Sequence, residues 1–497
     1  VFRQILRLSQ HSIIYGLGAA VSSIVGFFLL PLYTRYLTTS DYGNLEILLT
    51  TSAVLTIVAG MGLSTALFRS YFLHDDADKR KAVLSTAFLF LTASSAILCL
   101  LLIAIAGSIS SAIFGSTEYA LHFRLVFLTL FCDTCVALGL SVLRAREKPV
   151  AFAGVAVTRV LVSIGLNLVF VVALHRGVLG IVEASAIASA LIYLIMAVTL
   201  FRQAGIHFSV DELKRMLAFG LPLIPAGLGG WILTLSDRYF LKFLSTADQV
   251  GLYSLGYKFG GVLSALVVAP ILTAWAPFAF SVWREKDARQ VYSRVFTYFL
   301  LVALFAALAL AILSREVLAI MATPDFFAAY RVIPLIALAY VVYGCFDMLA
   351  IGIGLMAKTR YTAAIVAAAA VLNLGLNYVL VPHYGMMGSA WATLVSYVAL
   401  TTVGFLVSRR FYAVKYEWGR IAKMLLAAGA IYAGSLFISN TYAVVHSYVI
   451  VGVFKLLALL TFPVVLYFLG FYHTEEILKA KAVVKALPGY VKSRLRK

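Results

Sequence analysis

Leu143-Arg-Ala-Arg146, followed by Gly165-Leu-Asn167, His175, Gly177, Gly180 and Ala184, decides the reading of this chain because it occurs twice. Roughly 210 residues later the pattern returns as Leu355-Met-Ala-Lys358, then Gly375-Leu-Asn377, His383, Gly385, Gly388 and Ala392. A second pair lies upstream: Arg35-Tyr-Leu-Thr-Thr-Ser-Asp41 with Gly43 is echoed by Lys242-Phe-Leu-Ser-Thr-Ala-Asp248 with Gly251. Each copy sits in long apolar runs broken by short loops. The chain therefore reads as two related halves in one bilayer, a plan that places a substrate site near the midplane between the halves.

The surrounding composition agrees. Of 497 residues, 63% are hydrophobic and only 12% charged, with mean hydropathy +0.98. A water-soluble protein of this size needs far more polar surface. Fourteen apolar runs are each long enough to cross a hydrocarbon core: 12–34, 44–67, 83–107, 122–143, 151–173, 180–201, 217–241, 250–276, 292–313, 332–355, 361–381, 386–407, 421–439 and 448–471. The first lacks a small-residue cleavage site at its end and is read as a span. The expected fold is an all-α integral membrane protein. Six spans form a first bundle (1–205) and six a second (206–410). Two further spans (411–472) and a basic tail (473–497) follow. An even number of spans per repeat makes both halves enter the membrane in the same direction.

The net charge of +19 would suit nucleic acid, but its distribution points to topology. With both termini cytoplasmic, the outward connections hold only Arg35, Arg176, Lys242, Arg315 and Arg331 among Lys and Arg. That asymmetry is the positive-inside pattern. The tail beyond Lys479 is expected against anionic headgroups. Cys132-Asp-Thr-Cys135 has the C-x-x-C spacing, but no second pair or nearby His completes a zinc set. Its cysteines read as small apolar residues of a helix. No metal and no organic cofactor is expected.

Proline and glycine mark where spans bend. The seventh run contains Gly220-Leu-Pro222-Leu-Ile-Pro225, and the first carries Gly16, Gly18, Gly26 and Pro31. Prolines remove backbone donors and glycines permit unwinding. Gly26, Pro31, Pro222 and Pro225 are thus gating candidates. Close helix packing is the plainer role for the glycines.

Ionisable groups deep in a span cost about 2.5–3.5 kcal/mol each on insertion scales and so face a cavity or one another. Arg159, Arg238 and Lys258, with Asp133 and Asp347, lie deep. Arg69 is at the cytoplasmic mouth. These six are the candidate residues of a cleft for an anion such as a phosphate or diphosphate, which Arg and Lys bind by charge-assisted hydrogen bonds. The alternative is internal pairing of Arg159 or Lys258 with Asp133 or Asp347. Glu46, Glu183 and Arg124 lie near span ends and are expected to reach solvent. Lys455 lies outside both repeats, where a structural or lipid contact is expected. Asp237, Asn373, Asn377 and Thr393 offer carboxylate, amide and hydroxyl oxygens suited to Na⁺, with proton carriage at Asp237 as the alternative. Pairing of Asp237 with Arg238 is expected to be weak, because adjacent helix residues diverge. The chain has no P-loop, no H-E-x-x-H and no glycine-rich nucleotide fingerprint, so neither nucleotide-driven transport nor an enzyme is expected.

Several segments resemble Wzx-type polysaccharide flippases: Pro31-Leu-Tyr-Thr-Arg-Tyr-Leu-Thr-Thr-Ser-Asp-Tyr-Gly43, Gly62-Leu-Ser-Thr-Ala-Leu-Phe-Arg69, Ser236-Asp-Arg-Tyr-Phe-Leu241, Val250-Gly-Leu-Tyr-Ser254 and Gly385-Met-Met-Gly-Ser-Ala-Trp-Ala-Thr393. These flippases belong to the multidrug/oligosaccharidyl-lipid/polysaccharide (MOP) exporter superfamily, with MATE drug antiporters and MurJ-type lipid II flippases. The resemblance spans the whole chain and implies a MATE/MurJ-like fold. It further implies translocation of a polyprenyl-diphosphate-linked oligosaccharide repeat unit, for O-antigen, lipopolysaccharide, capsule or exopolysaccharide. The route would run to the periplasmic leaflet of a bacterial inner membrane by alternating access. Na⁺ or H⁺ is the implied coupling ion. A polymerase and a chain-length regulator are the implied protein partners. Relatives of the lipid II type place a cation site where Asp237, Asn373, Asn377 and Thr393 stand, but an acidic residue is expected at the Asn377 position. The arginine cavity of lipid II flippases is also thinner here. A MATE-type drug or cation antiporter is the alternative, and a membrane glycan polymerase a more remote one.

Overall fold

The computed structural model describes Phe27 and residues 29–442, 448–474 and 476–478. Gly16, Gly18, Gly26, most of the first apolar run and the basic tail lie outside the described residues. The described part is helical, with no strand. Thirteen of its helices are long and apolar enough to cross a membrane, and the protein is a multi-pass membrane protein.

The opening repeat proves to be a pair of helix reversals. In the first copy, α6 (Ala120–Ala145) ends and α7 (Pro149–Asn167) begins across a turn in which the Lys148 N–H donates to the Leu143 carbonyl. In the second, α17 (Ile351–Leu355) and α18 (Thr359–Tyr384) meet across a turn closed by Lys358 N–H to Ile353 carbonyl. Both turns use a left-handed residue, Glu147 (φ 53°) and Ala357 (φ 52°). At the far ends the chain reverses again. His175 (φ 51°) and Gly177 (φ 54°) lead into α8 (Gly177–Ala204), and Gly385 (φ 51°) leads into α19 (Met386–Phe411). Left-handed geometry is open to glycine at little cost, which explains its recurrence at these places.

The upstream repeat builds the crossing of the two halves. Helix α2 (Thr39–Gly60) starts on a capping box between Thr38 and Asp41, and α12 (Ala247–Leu263) starts on the Thr246 hydroxyl, which accepts from the Gln249 N–H. The two helices pack along their first turns. A Cβ on Gly43 would lie 2.0 Å from the Ala247 carbonyl oxygen, and one on Gly251 would lie 2.1 Å from that of Thr39. The contact is reciprocal, each glycine receiving the backbone four residues before the other. It seals the charge-poor face, helped by a Thr39–Asp248 hydrogen bond. Lys242 spans the same seam, donating to the Asn44 side-chain oxygen at 3.1 Å and lying over the Phe114 ring.

The basic face is closed by a second glycine pair. Helix α2 breaks at Met61 and Gly62, both left-handed, before α3 (Leu63–Leu73). A Cβ on Gly62 would lie 2.4 Å from the carbonyl oxygen of Gly220, which ends α9 (Val210–Gly220). Helix α9 packs on α3 and on α4 (Ala77–Ala104) of the first bundle. After a 3₁₀ turn at Leu221–Leu223, α10 (Ile224–Leu235) leans on α2 and α18. The bend falls where Pro222 and Pro225 deny backbone donors. A further break at Ser236 precedes α11 (Asp237–Leu244). Pro31 occupies the first turn of α1 (Leu30–Tyr36), where its missing N–H leaves no helical bond unmade.

Helices α13 (Ala269–Val282), α14 (Ala288–Ile312), α15 (Ser314–Met321) and α16 (Ile333–Leu349) complete the second half. Two more helical segments, α20 (Trp418–Tyr442) and α21 (Tyr448–Leu460), pack against α14, and α22 (Phe462–Phe468) against both of them. Arg420 is their clasp, bonding Glu417 at 3.1 Å and Glu476 at 2.9 Å. Burial raises the Glu417 carboxyl, but the Thr297 hydroxyl, Arg420 and His473 outweigh it and hold the group below its ordinary value. Glu476 is lowered likewise, against its burial, by the Tyr298 hydroxyl, the His473 N–H and Arg420.

Candidate functional site: the gap between the bundles

The six cleft candidates fall into five arrangements. Arg159 on α7 donates to Asp133 on α6 at 2.7 Å and to Ser189 on α8 at 3.3 Å. Both members of that pair keep a third or so of their side chains accessible, 40% and 30%, although mid-span. Asp133 Oδ1 is buried without a hydrogen bond. The pairing is the internal one weighed from sequence, yet it leaves charged surface available to a bound group. Thr134 and Ala137, the next residues on α6, line a cavity of about 230 Å³ shared with Thr56 and Gly60 of α2 and Ile224 of α10. That cavity lies between the halves, next to the Gly62–Gly220 closure.

Lys258 on α12 departs from expectation. Its amine reaches neither Asp133 nor Asp347 but crosses to the other bundle, donating to Glu46 at 2.5 Å and to the Tyr42 hydroxyl at 2.7 Å on α2. Glu46, expected in solvent, is only 6% exposed. The correction has a plain cause: the glycine crossing brings α2 so close to α12 that Glu46 is trapped at the seam. A buried carboxylate requires a cation beside it. Glu183, also expected in solvent, pairs with Arg176 at 2.9 Å.

Arg238 is corrected more sharply. It is buried, at 3% exposure, and does not open to the cleft. It donates to its neighbour Asp237 at 2.7 Å and to the Thr234 carbonyl at 2.6 Å, with its guanidinium 4.2 Å from the Tyr257 ring centre. Neighbouring residues on a continuous helix diverge. Here the Arg238 side chain is long enough to fold back along the helix, so its guanidinium reaches both the Asp237 carboxylate and the Thr234 carbonyl. The second Asp237 oxygen accepts from the Tyr253 hydroxyl at 2.5 Å, and Tyr253 lies 3.4 Å from Thr393. Asn377 donates to Asn373 and accepts from Ser389 at 2.9 Å, while the Asn373 amide nitrogen is buried without a partner. Asp237 thus reaches Thr393 through Tyr253, and Asn373 and Asn377 reach Ser389, one turn before Thr393 on α19; all four candidates are buried. Arg238 already occupies the carboxylate as a tethered cation, so Na⁺ fits only by displacing it.

Asp347 continues a stripe with Tyr340 and Tyr343 on α16. Tyr340 meets Tyr257 edge to face, and Tyr343 meets Tyr397 at 5.2 Å. Arg69, on the basic face, lies 4.7 Å over the Phe219 ring. The tyrosine layer and Ser389 escaped the sequence reading. Tyr257 beside Lys258 and Ser389 inside the second repeat were the available signals. Cys132 and Cys135 are free and buried, and among the described residues no cluster suits a metal.

Two helical bundles thus meet through paired glycine contacts on either side of a charged gap. The chain belongs to the polysaccharide biosynthesis protein family, whose sequence profile matches residues 8–283. The probable low-salt glycan biosynthesis flippase Agl15 of Haloferax volcanii is 21% identical over 252 residues, 50% of this chain and 53% of the relative. The chain thus matches about half the length of that curated protein. Among solved structures, the lipid II flippase MurJ in an inward closed conformation superposes with TM-score 0.74 at 14% identity, covering 92% of this chain and 99% of that one. An inward-facing multidrug resistance MATE family transporter gives 0.65 at 16% identity, covering 82% and 97%. These likenesses establish the fold.

Proposed function

We propose that this protein is a flippase that carries a polyprenyl-diphosphate-linked oligosaccharide repeat unit from the cytoplasmic to the outer leaflet of a bacterial inner membrane. The observation that carries the reading is the Arg159–Asp133 pair. It holds an arginine mid-span that keeps 40% of its side chain accessible, as an anionic group in transit requires, and Thr134, the residue after Asp133, lines the inter-bundle cavity. Membership of the polysaccharide biosynthesis family supports a glycan as the cargo. The two glycine closures support alternating access, because each is a contact between bundles that can part without unfolding either. The basic connections orient both termini to the cytoplasm. A polymerase and a chain-length regulator are the proposed partners that consume the delivered unit.

Coupling to Na⁺ or H⁺ is part of the proposal and lies at Asp237, where the incoming cation competes with Arg238. Asp237→Asn should then slow export. Unchanged export with the ion gradient collapsed would leave consumption of the product as the driving force.

The deciding experiment measures polyprenyl-diphosphate glycan on the cytoplasmic leaflet of a deletion strain, with and without the wild-type or Arg159→Ala protein restored. Accumulation relieved by wild type and not by the variant supports the reading. Normal surface polysaccharide and no accumulation would overturn it.

A further inference from the structure

At the charge-poor face, where basic residues are few, two of them converge on a single ring. The Arg315 guanidinium lies 5.0 Å from the Tyr330 ring centre and that of Arg331 5.9 Å from the same ring. Arg315 belongs to the first turn of α15. Tyr330 and Arg331 close the 3₁₀ turn Pro324–Arg331. Among the described residues neither arginine has a carboxylate partner, whereas Arg176 on the same face pairs with Glu183 and Lys242 bonds Asn44. Together they border a pocket of about 70 Å³ between the second bundle and α20–α21, which Tyr432 and Lys455 also line. Lys455 is 2% exposed and bonds Glu316 at 2.7 Å. That pair is neutral, so the two arginines set the sign of the pocket.

The positive-inside bias works against arginines on this face, so their convergence calls for an anion. The space is about that of two water molecules in the liquid. It is room for one phosphate group. Leu436 lines it and Phe437 follows on α20, exposed at 45% and 71%, an apolar surface for a hydrocarbon chain. We propose that Arg315, Arg331 and Tyr330, with Lys455 beneath, hold the phosphate of a membrane lipid at the charge-poor face of the protein. The lipid is either a resident glycerophospholipid or a prenyl-linked phosphate. The inference stands apart from the activity proposed above.

The test uses the full chain, purified in detergent, with three probes: dioleoylphosphatidylglycerol, farnesyl diphosphate and inorganic phosphate. The readout is the unfolding temperature of wild type, Arg331→Gln, Arg315→Gln/Arg331→Gln and, as a charge control on the same face, Arg35→Gln. A lipid probe at a hundredfold excess over Kd should raise the midpoint by about 2–5 °C in wild type and Arg35→Gln. The rise should shrink in Arg331→Gln, whose exposed side chain leaves folding intact, and vanish in the double variant. Response to phosphatidylglycerol alone assigns a resident lipid, and response to farnesyl diphosphate alone a prenyl phosphate. Equal shifts in wild type and both Arg331 variants would overturn the site. So would stabilisation by inorganic phosphate only, or no shift with any probe.

Discussion

Gly251→Ala should open the charge-poor end of the protein. The added Cβ would sit 2.1 Å from the Thr39 carbonyl oxygen, against at least 3.4 Å for ordinary contact. The opposing atom is backbone in the first turn of α2 and cannot turn aside. The helices must therefore part by about 1 Å, and overpacking of this kind costs about 1–3 kcal/mol. Alanine gains up to about 1 kcal/mol in helix propensity, but it does so in closed and open states alike and drops out of the difference. A tenfold change in population needs about 1.4 kcal/mol. The closed state should thus lose about 5- to 150-fold against the open one. Spin labels on Glu118 and Asp325, exposed residues of opposite bundles at this face, report the change by pulsed electron resonance. The expected result is a longer distance in Gly251→Ala, repeated in Gly43→Ala. Gly220→Ala, at the opposite closure, should leave it unchanged or shorter. A lower melting temperature with the wild-type distance in both upper variants would refute the gate and leave a mere packing contact.

Other perturbations probe the charged groups. Lys258→Met should destabilise the protein by about 3–5 kcal/mol by stranding Glu46, and Lys258→Met/Glu46→Gln should recover most of that in thermal unfolding. Arg238→Met should empty the cation position beside Asp237 and make melting temperature rise with NaCl but not with choline chloride, a dependence the wild type should lack. Arg159→Ala should reduce export at least tenfold while changing the melting temperature little, since the pair it leaves is partly accessible. The Arg420 clasp should respond to pH. Glu417 and Glu476 are held below their ordinary 4.5, so their contribution is complete above that value and fades as pH falls through the lowered ones. The melting-temperature gap between wild type and Arg420→Gln should therefore be constant at pH 6–7 and narrow below about pH 4.5.

The repeat itself was legible in the residues, but not that its copies turn the chain through matching left-handed positions. Glu147 and Ala357 turn left-handed within two residues of matching positions, and the contact of Gly43 with the Gly251 helix appears only in the structure. The bend of the seventh run is written in Pro222 and Pro225. Charge partners were not legible in the same way. Depth in a span identified Lys258 as needing a counter-ion. Which carboxylate answers it depends on the α2–α12 crossing angle, which no local pattern expresses. Arg238 was misread because Cβ directions alone were weighed, whereas a long guanidinium can fold back to its neighbour's carboxylate.

The Lys258–Glu46 bond also sets a schedule for biogenesis. Its members are 212 residues apart. At about 5–20 residues per second, the lysine emerges roughly 10–40 s after the glutamate. Throughout that interval α2 is in or beside the membrane with a carboxylate whose partner has not been synthesised. The insertion machinery must keep that carboxylate near water until α12 arrives, so the first half cannot finish assembling before the second is made.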